Sequence, residues 1–141
     1  MKIQSIWKIE WVVGAVATTF LDYGDLMDTE PSFGSEQEAL TQAAVSAIWS
    51  RSYGLGAAQR AITWNRQRTH ASPAAAREFC VDHGAALPFL QDGFLRVTIQ
   101  GGGARKIDNA VIISAYVEPI HGIPHATLTR YVARGGITTT L

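Results

Sequence analysis

The sequence predicts an α+β fold, an antiparallel β-sandwich or barrel with one or two helices packed on it. Three observations carry the prediction. Segments that alternate apolar and polar residues recur along the chain, Ser72-Pro73 gives a clean helix start between them, and glycine clusters punctuate them where tight turns are needed. At 141 residues the chain suits a single domain, 1–141, burying roughly two-thirds of its unfolded surface.

Near the N-terminus Trp7, Ile9, Trp11 and Val13 are apolar, while Gln4, Lys8 and Glu10 take the alternate positions, as in a strand with one wet face. Ala15-Val16-Ala17 imitates a cleavage site, but Lys8 and Glu10 interrupt the apolar run. Only Trp11 to Leu21 is uncharged, too short to span a bilayer. Asp22 to Ser35 carries four acids, two glycines and a proline with no period, and reads as a long acidic loop. A loop of that length is functional or disordered in a compact domain, and it is expected to be mobile in an isolated subunit and ordered against a neighbour. Ser35 and Glu38 then fit a capping box. The following segment, 36–51, reads either as a helix through Leu40, Ala43, Ala44, Ala47 and Ile48 or as a strand from Ala43 to Trp49.

Past Gly54 and Gly56, Ile62 and Trp64 share one face of a strand, and Gln59, Thr63 and Asn65 the other. Ser72 at the N-cap and Pro73 at the first helical position open a helix that runs to Asp82 or His83, with Gly84 as its stop. Its apolar stripe is Ala76, Phe79, Cys80 and Leu87, and the single cysteine reads as a small buried hydrophobe. Leu95, Val97 and Ile99 alternate with Arg96, Thr98 and Gln100, and Gly101 to Gly103 form a hairpin turn. The return strand from Ile107 to Val117 is apolar on both faces and so central, with Ile113 expected in the core beside Trp64. The last strand, Ala126 to Ala133, carries Arg130, with Arg134 just beyond it, as signs of a sheet edge.

No segment carries a catalytic pattern. The glycine triplet joins two strands and lacks the Gly-Lys-Ser/Thr that opens a P-loop helix. His121 and His125 flank Gly-Ile-Pro, and the proline opposes the helix that would converge them on a metal, so they read as an exposed loop. Neither a Gly-x-Ser-x-Gly elbow nor a basic excess is present: 12 Lys and Arg balance 12 Asp and Glu. The balance is segregated, however. Between Ile9 and Ser50 lie seven acids, among them Asp22, Asp25, Asp28 and Glu30, and no Lys or Arg; between Arg51 and Arg77 lie five arginines, among them Arg60, Arg66 and Arg68, and no acid. These acids and arginines either pair within one fold or face one another across a head-to-tail subunit contact that builds rings or filaments.

With the helix at Ser72-Pro73 and the closing hairpin from Phe94 to Thr138, the stretch from Ala57 to Leu141 resembles small bacteriophage tail proteins of the tail-tube and distal-tail kind. Asp22 to Ser35 matches the long inter-strand loop of such proteins. The resemblance implies a structural protein of the virion tail, made in the bacterial cytoplasm and assembling with itself and with neighbouring tail proteins. DNA would be passing cargo, and no catalysis, cofactor, metal or membrane is implied. The competing expectation is a soluble bacterial ligand-binding or enzymatic domain with its pocket near 121–125.

Overall fold

The structure, a computed structural model, describes residues 3–34, 60–88, 91, 93–136 and 138–141. The Ser35–Glu38 capping box and the choice between helix and strand across 36–51 lie outside the described residues.

The described residues fold mostly into antiparallel sheet with one helix, an α+β arrangement. The strands are β1 (Ile3–Gln4), β2 (Trp7–Val13), β3 (Val16–Leu21), β4 (Leu26–Met27), β5 (Ser32–Phe33), β6 (Arg60–Thr69), β7 (Gly93–Ile99), β8 (Ala104–Ile120), β9 (Ile123–Gly135) and β10 (Thr138–Thr140). They join in one open path, β1-β4-β6-β9-β8-β7-β2-β3, with β5 also on β6 and β10 on β8. Helix α1 (Pro73–Asp82) packs on β8 and β9 and ends in a 3-10 turn, Gly84–Ala86. Among the described residues no helix is long and apolar enough to cross a membrane.

Strand β8 joins the two halves of the sheet. Its first residues pair with β7 and β10, and from Val111 onward it pairs with β9. The change of partner falls between Ala110 and Val111, just past a break in the β7–β8 register at Asp108–Asn109, where Asn109 adopts φ 51°. Asn tolerates this left-handed backbone better than most residues, and the irregularity bends the strand so that Ile107, Ala110 and Ile112 all face inward. They enter one core with Ile9, Trp11, Phe20, Leu21 and Leu95 from one half and Met27, Ile62, Trp64 and Tyr131 from the other. Ile113 is only half-buried, contrary to expectation, because the β8–β9 register slips between Ile112 and Ser114 and leaves it as the extra residue of a bulge.

Several other expectations are corrected. The uncharged run from Trp11 to Leu21 is a hairpin, β2–β3, turning at Gly14 with φ 59°. The wet face of β2 is largely covered: Glu10 is 9 % exposed and its carboxylate accepts two hydrogen bonds from Arg96, Nε to Oε1 and Nη2 to Oε2, both 3.0 Å. Val13, expected inward, is exposed at the hairpin tip. Strand β9 is no edge; it lies between β6 and β8, and its arginines sit on a central strand. Cys80 is half-buried, not buried.

The described part of the acidic segment, 22–34, is not a free loop but an interrupted edge of β6. Strand β4 pairs with Gln67, and β5 pairs with Ile62 and Thr63. Between them Pro31 cannot donate to a ladder. Asn65 takes over the bonding there: its Oδ1 accepts from the Asp28 amide at 2.6 Å, and its Nδ2 donates to Thr29 O and Oγ1 at 3.2 and 2.9 Å. Gly24 N donates to Ser5 O, Ser5 N to Asp25 O, and Met27 is buried. These anchors within a single chain oppose the expectation that the segment orders only against a neighbour.

Candidate functional site

Alternate residues of β6 run from the core into a charged cleft. Ile62 and Trp64 are buried, and Arg66 and Arg68 continue the same face, followed by His70 just past the strand. The register with β9 sets Tyr131 opposite Trp64, Thr129 opposite Arg66 and Thr127 opposite Arg68. Trp64 and Tyr131 stack with ring centroids 5.2 Å apart, closing the apolar end of the row.

Helix α1 roofs the other end, and its start explains its placement. Ser72 Oγ accepts from Ala75 N at 3.1 Å, and Pro73 occupies the first turn without wasting a donor. Ala76 is fully buried, so the helix comes close to the sheet, and Phe79 and His83 follow at i+3 and i+7 on the same side. Phe79 stacks on His83 at 4.5 Å and meets His70 at 4.9 Å, while the Arg68 guanidinium lies 5.2 Å from the Phe79 ring centre. His83 Nε2 and Tyr131 Oη are hydrogen-bonded at 2.7 Å, as are His70 Nε2 and Thr127 Oγ1 at 2.8 Å. Burial, with Arg68 and then Arg66 adding repulsion, lowers the His83 pKa to about 4, so the ring is neutral near neutral pH. Burial likewise raises the Tyr131 pKa, opposed by the same two arginines.

A cavity of about 480 Å³ opens beside this row, lined by Asp25, Arg66, Gln67, Arg68, Thr69, His70 and Phe79. Arg66 Nε lies 2.8 Å from Asp25 Oδ2, an ion pair whose N–H is poorly aligned for a hydrogen bond. Arg68 Nε is buried and has no hydrogen-bond partner.

The acids and arginines singled out in the sequence thus meet in part within one chain. Asp25 pairs with Arg66; Asp28 reaches Arg130 at 3.6 Å, an arginine outside the basic stretch that also pairs with Glu118. Asp22 accepts from the Tyr23 amide, Glu30 is exposed, and Arg60 opens β6 opposite Gly135. Phe79, His83 and Tyr131 belong to no site that the sequence predicts. The parity of 64, 66, 68 and 70 was a usable signal; Tyr131 and His83 arrive only through strand pairing and helix docking. His121 and Gly122 make the β8–β9 turn, His125 lies on β9, and both histidines are exposed. A second cavity, lined by Arg77, Pro119, Ile120, His121, Gly122 and Pro124, lies at that turn. Among the described residues no three His, Cys, Asp or Glu side chains converge as metal ligands.

A different surface stands out at the end of the sheet. Strand β3 pairs only with β2 among the described residues, and Val16, Ala17 and Thr18 along it are exposed. Val16 is 63 % exposed and Val13, across the hairpin, 41 %. Compared with family models, curated proteins and solved structures, the chain matches none.

Proposed function

We propose that the chain is a non-catalytic, self-assembling structural subunit of the kind that forms a tube or distal-tail ring in a phage or phage-derived tail. The observation that supports this best is the edge that β3 presents among the described residues. Natural sheets blunt their edges with lysine, proline, bulges or covering segments, yet Val16–Leu21 carries neither charge nor proline and presents valine, alanine and threonine to solvent. Such an edge accepts a strand from a second copy through backbone hydrogen bonds. In this reading the two halves of the sheet, sharing one core, are the layers of a sandwich that β8 crosses between. The acid–arginine seam adds less, because Asp25 already has an intrachain partner.

Light scattering over a concentration series, with negative-stain imaging, tests the reading. Association with rings or tubes is expected, and Val16→Lys is expected to reduce it without lowering the subunit's melting temperature. A chain that stays monomeric throughout removes the proposal. A ligand-binding domain is the second reading, favoured by the cavity beside Arg68 rather than by the 121–125 turn.

A further inference from the structure

Two arginines, Arg66 and Arg68, with one carboxylate between them in the lining of the β6–α1 cavity, point to a binding site for a small oxyanion, a carboxylate or phosphate group. We infer this from charge, donors and shape together. The cavity lining holds two arginines and one carboxylate, and that carboxylate is engaged by Arg66. Arg68 therefore brings a positive charge that no carboxylate of the lining neutralises; its guanidinium rests over Phe79 and hydrogen-bonds the Tyr131 side chain, and its Nε has no hydrogen-bond partner. A buried donor without an acceptor is costly, and a charged one more so, whereas a carboxylate or phosphate offers the planar fork of arginine two matched acceptors. His70 lines the same cavity, and its Nε2 is already engaged by Thr127, which fixes the ring's orientation. Phe79, in contact with His70 and His83, lines the cavity and gives it an apolar portion against which the body carrying the oxyanion rests. The volume of about 480 Å³ exceeds a bare ion and fits a small organic acid or phosphate ester.

This site is separate from the β3 edge, so its failure and that of the assembly proposal are distinguishable. The test is thermal melting of the full chain in sodium phosphate, sodium benzoate or sodium chloride at matched ionic strength. Phosphate or benzoate is expected to raise the melting temperature above the chloride series, and the stronger of the two identifies the oxyanion. Arg68→Met is expected to weaken the apparent affinity at least about tenfold, read against the variant's own chloride series because the substitution also removes the contacts of Arg68 with Phe79 and Tyr131. Arg105→Gln, on the far half of the sheet, is expected to respond as the wild type does. Two results overturn the proposal: no stabilisation by either anion beyond chloride, or an undiminished response in Arg68→Met. Should Arg68→Met not fold, the wild-type His70 and His83 ring resonances are followed in the same titrations. Their movement by phosphate or benzoate supports the site, and their indifference overturns it.

Discussion

Asn65 shows how one side chain converts an irregular segment into part of a sheet. With Pro31 unable to donate, the ladder between β4 and β5 has a gap, and the carboxamide of Asn65 fills it with three hydrogen bonds to Asp28 and Thr29. Asn65→Ala is expected to cost about 1–3 kcal/mol, the range for buried polar groups left unsatisfied. Amide exchange at 28–31 should accelerate with it; unchanged exchange would show that the segment is held by other contacts. Gly93 is a second residue fixed by its surroundings, since a Cβ there would lie 2.7 Å from Val12 O and 2.8 Å from Trp11 Nε1. Gly93→Ala should cost about 1–3 kcal/mol through overpacking, read by denaturant unfolding. His83 adds a pH dependence. Its folded pKa of about 4 lies below the ordinary 6.5, because burial and then Arg68 and Arg66 disfavour the charged ring. The unfolded chain therefore binds a proton that the folded protein does not, so the stability His83 supports above pH 6.5 is lost as the pH falls toward 4. The wild type should lose stability relative to His83→Gln across that window, and a constant difference between the two would contradict the assignment.

At the scale of the element, β8 decides the fold by where it breaks register. The irregularity at Asp108–Asn109 and the slip at Ile113 each shift inward-facing parity by one, so that a plain alternation rule applied from Ile107 misassigns Ala110 and Ile112 between the two breaks and holds again from Ala115 onward. Ile112→Ala should cost about 2–5 kcal/mol, the range for a fully buried aliphatic side chain. Ile113→Ala, from a half-exposed bulge position, should cost clearly less in the same urea titration. Equal costs would show that the bulge does not relieve Ile113 of core packing. Helix α1, by contrast, obeys local rules at its start, where Ser72 caps it and Pro73 opens it, while Gly84, expected as its stop, instead begins a 3-10 turn.

Over the whole molecule, the two halves of the sheet do not have separate cores. Trp11 belongs to one half and Trp64 to the other, yet both sit in a single cluster, and Trp11 Nε1 donates to Ala110 O on β8 at 3.4 Å. Unfolding followed by tryptophan fluorescence and by far-ultraviolet circular dichroism should give coincident transitions. Two separated transitions would show that the halves open independently.

Local chemistry alone determined the α+β class, the Ser72-Pro73 helix, the glycine hairpin at 101–103, the burial of Ile62 and Trp64 and the central place of the return strand. Each of these depends on neighbours a few residues away, through capping, turn conformation or alternation. Legible too was the segregation of acids from arginines, but not what each charge meets. That depended on which strands lie side by side. Asp25 reaches Arg66 because the acidic segment runs along β6, β9 is central because it pairs with β6 on one side and β8 on the other, and Arg68, His70, Phe79, His83 and Tyr131 meet because β6 pairs with β9 and α1 docks over β8 and β9. Such contacts join residues tens of positions apart, and only the packing of the core, which sets register and bend together, brings them within reach of one another.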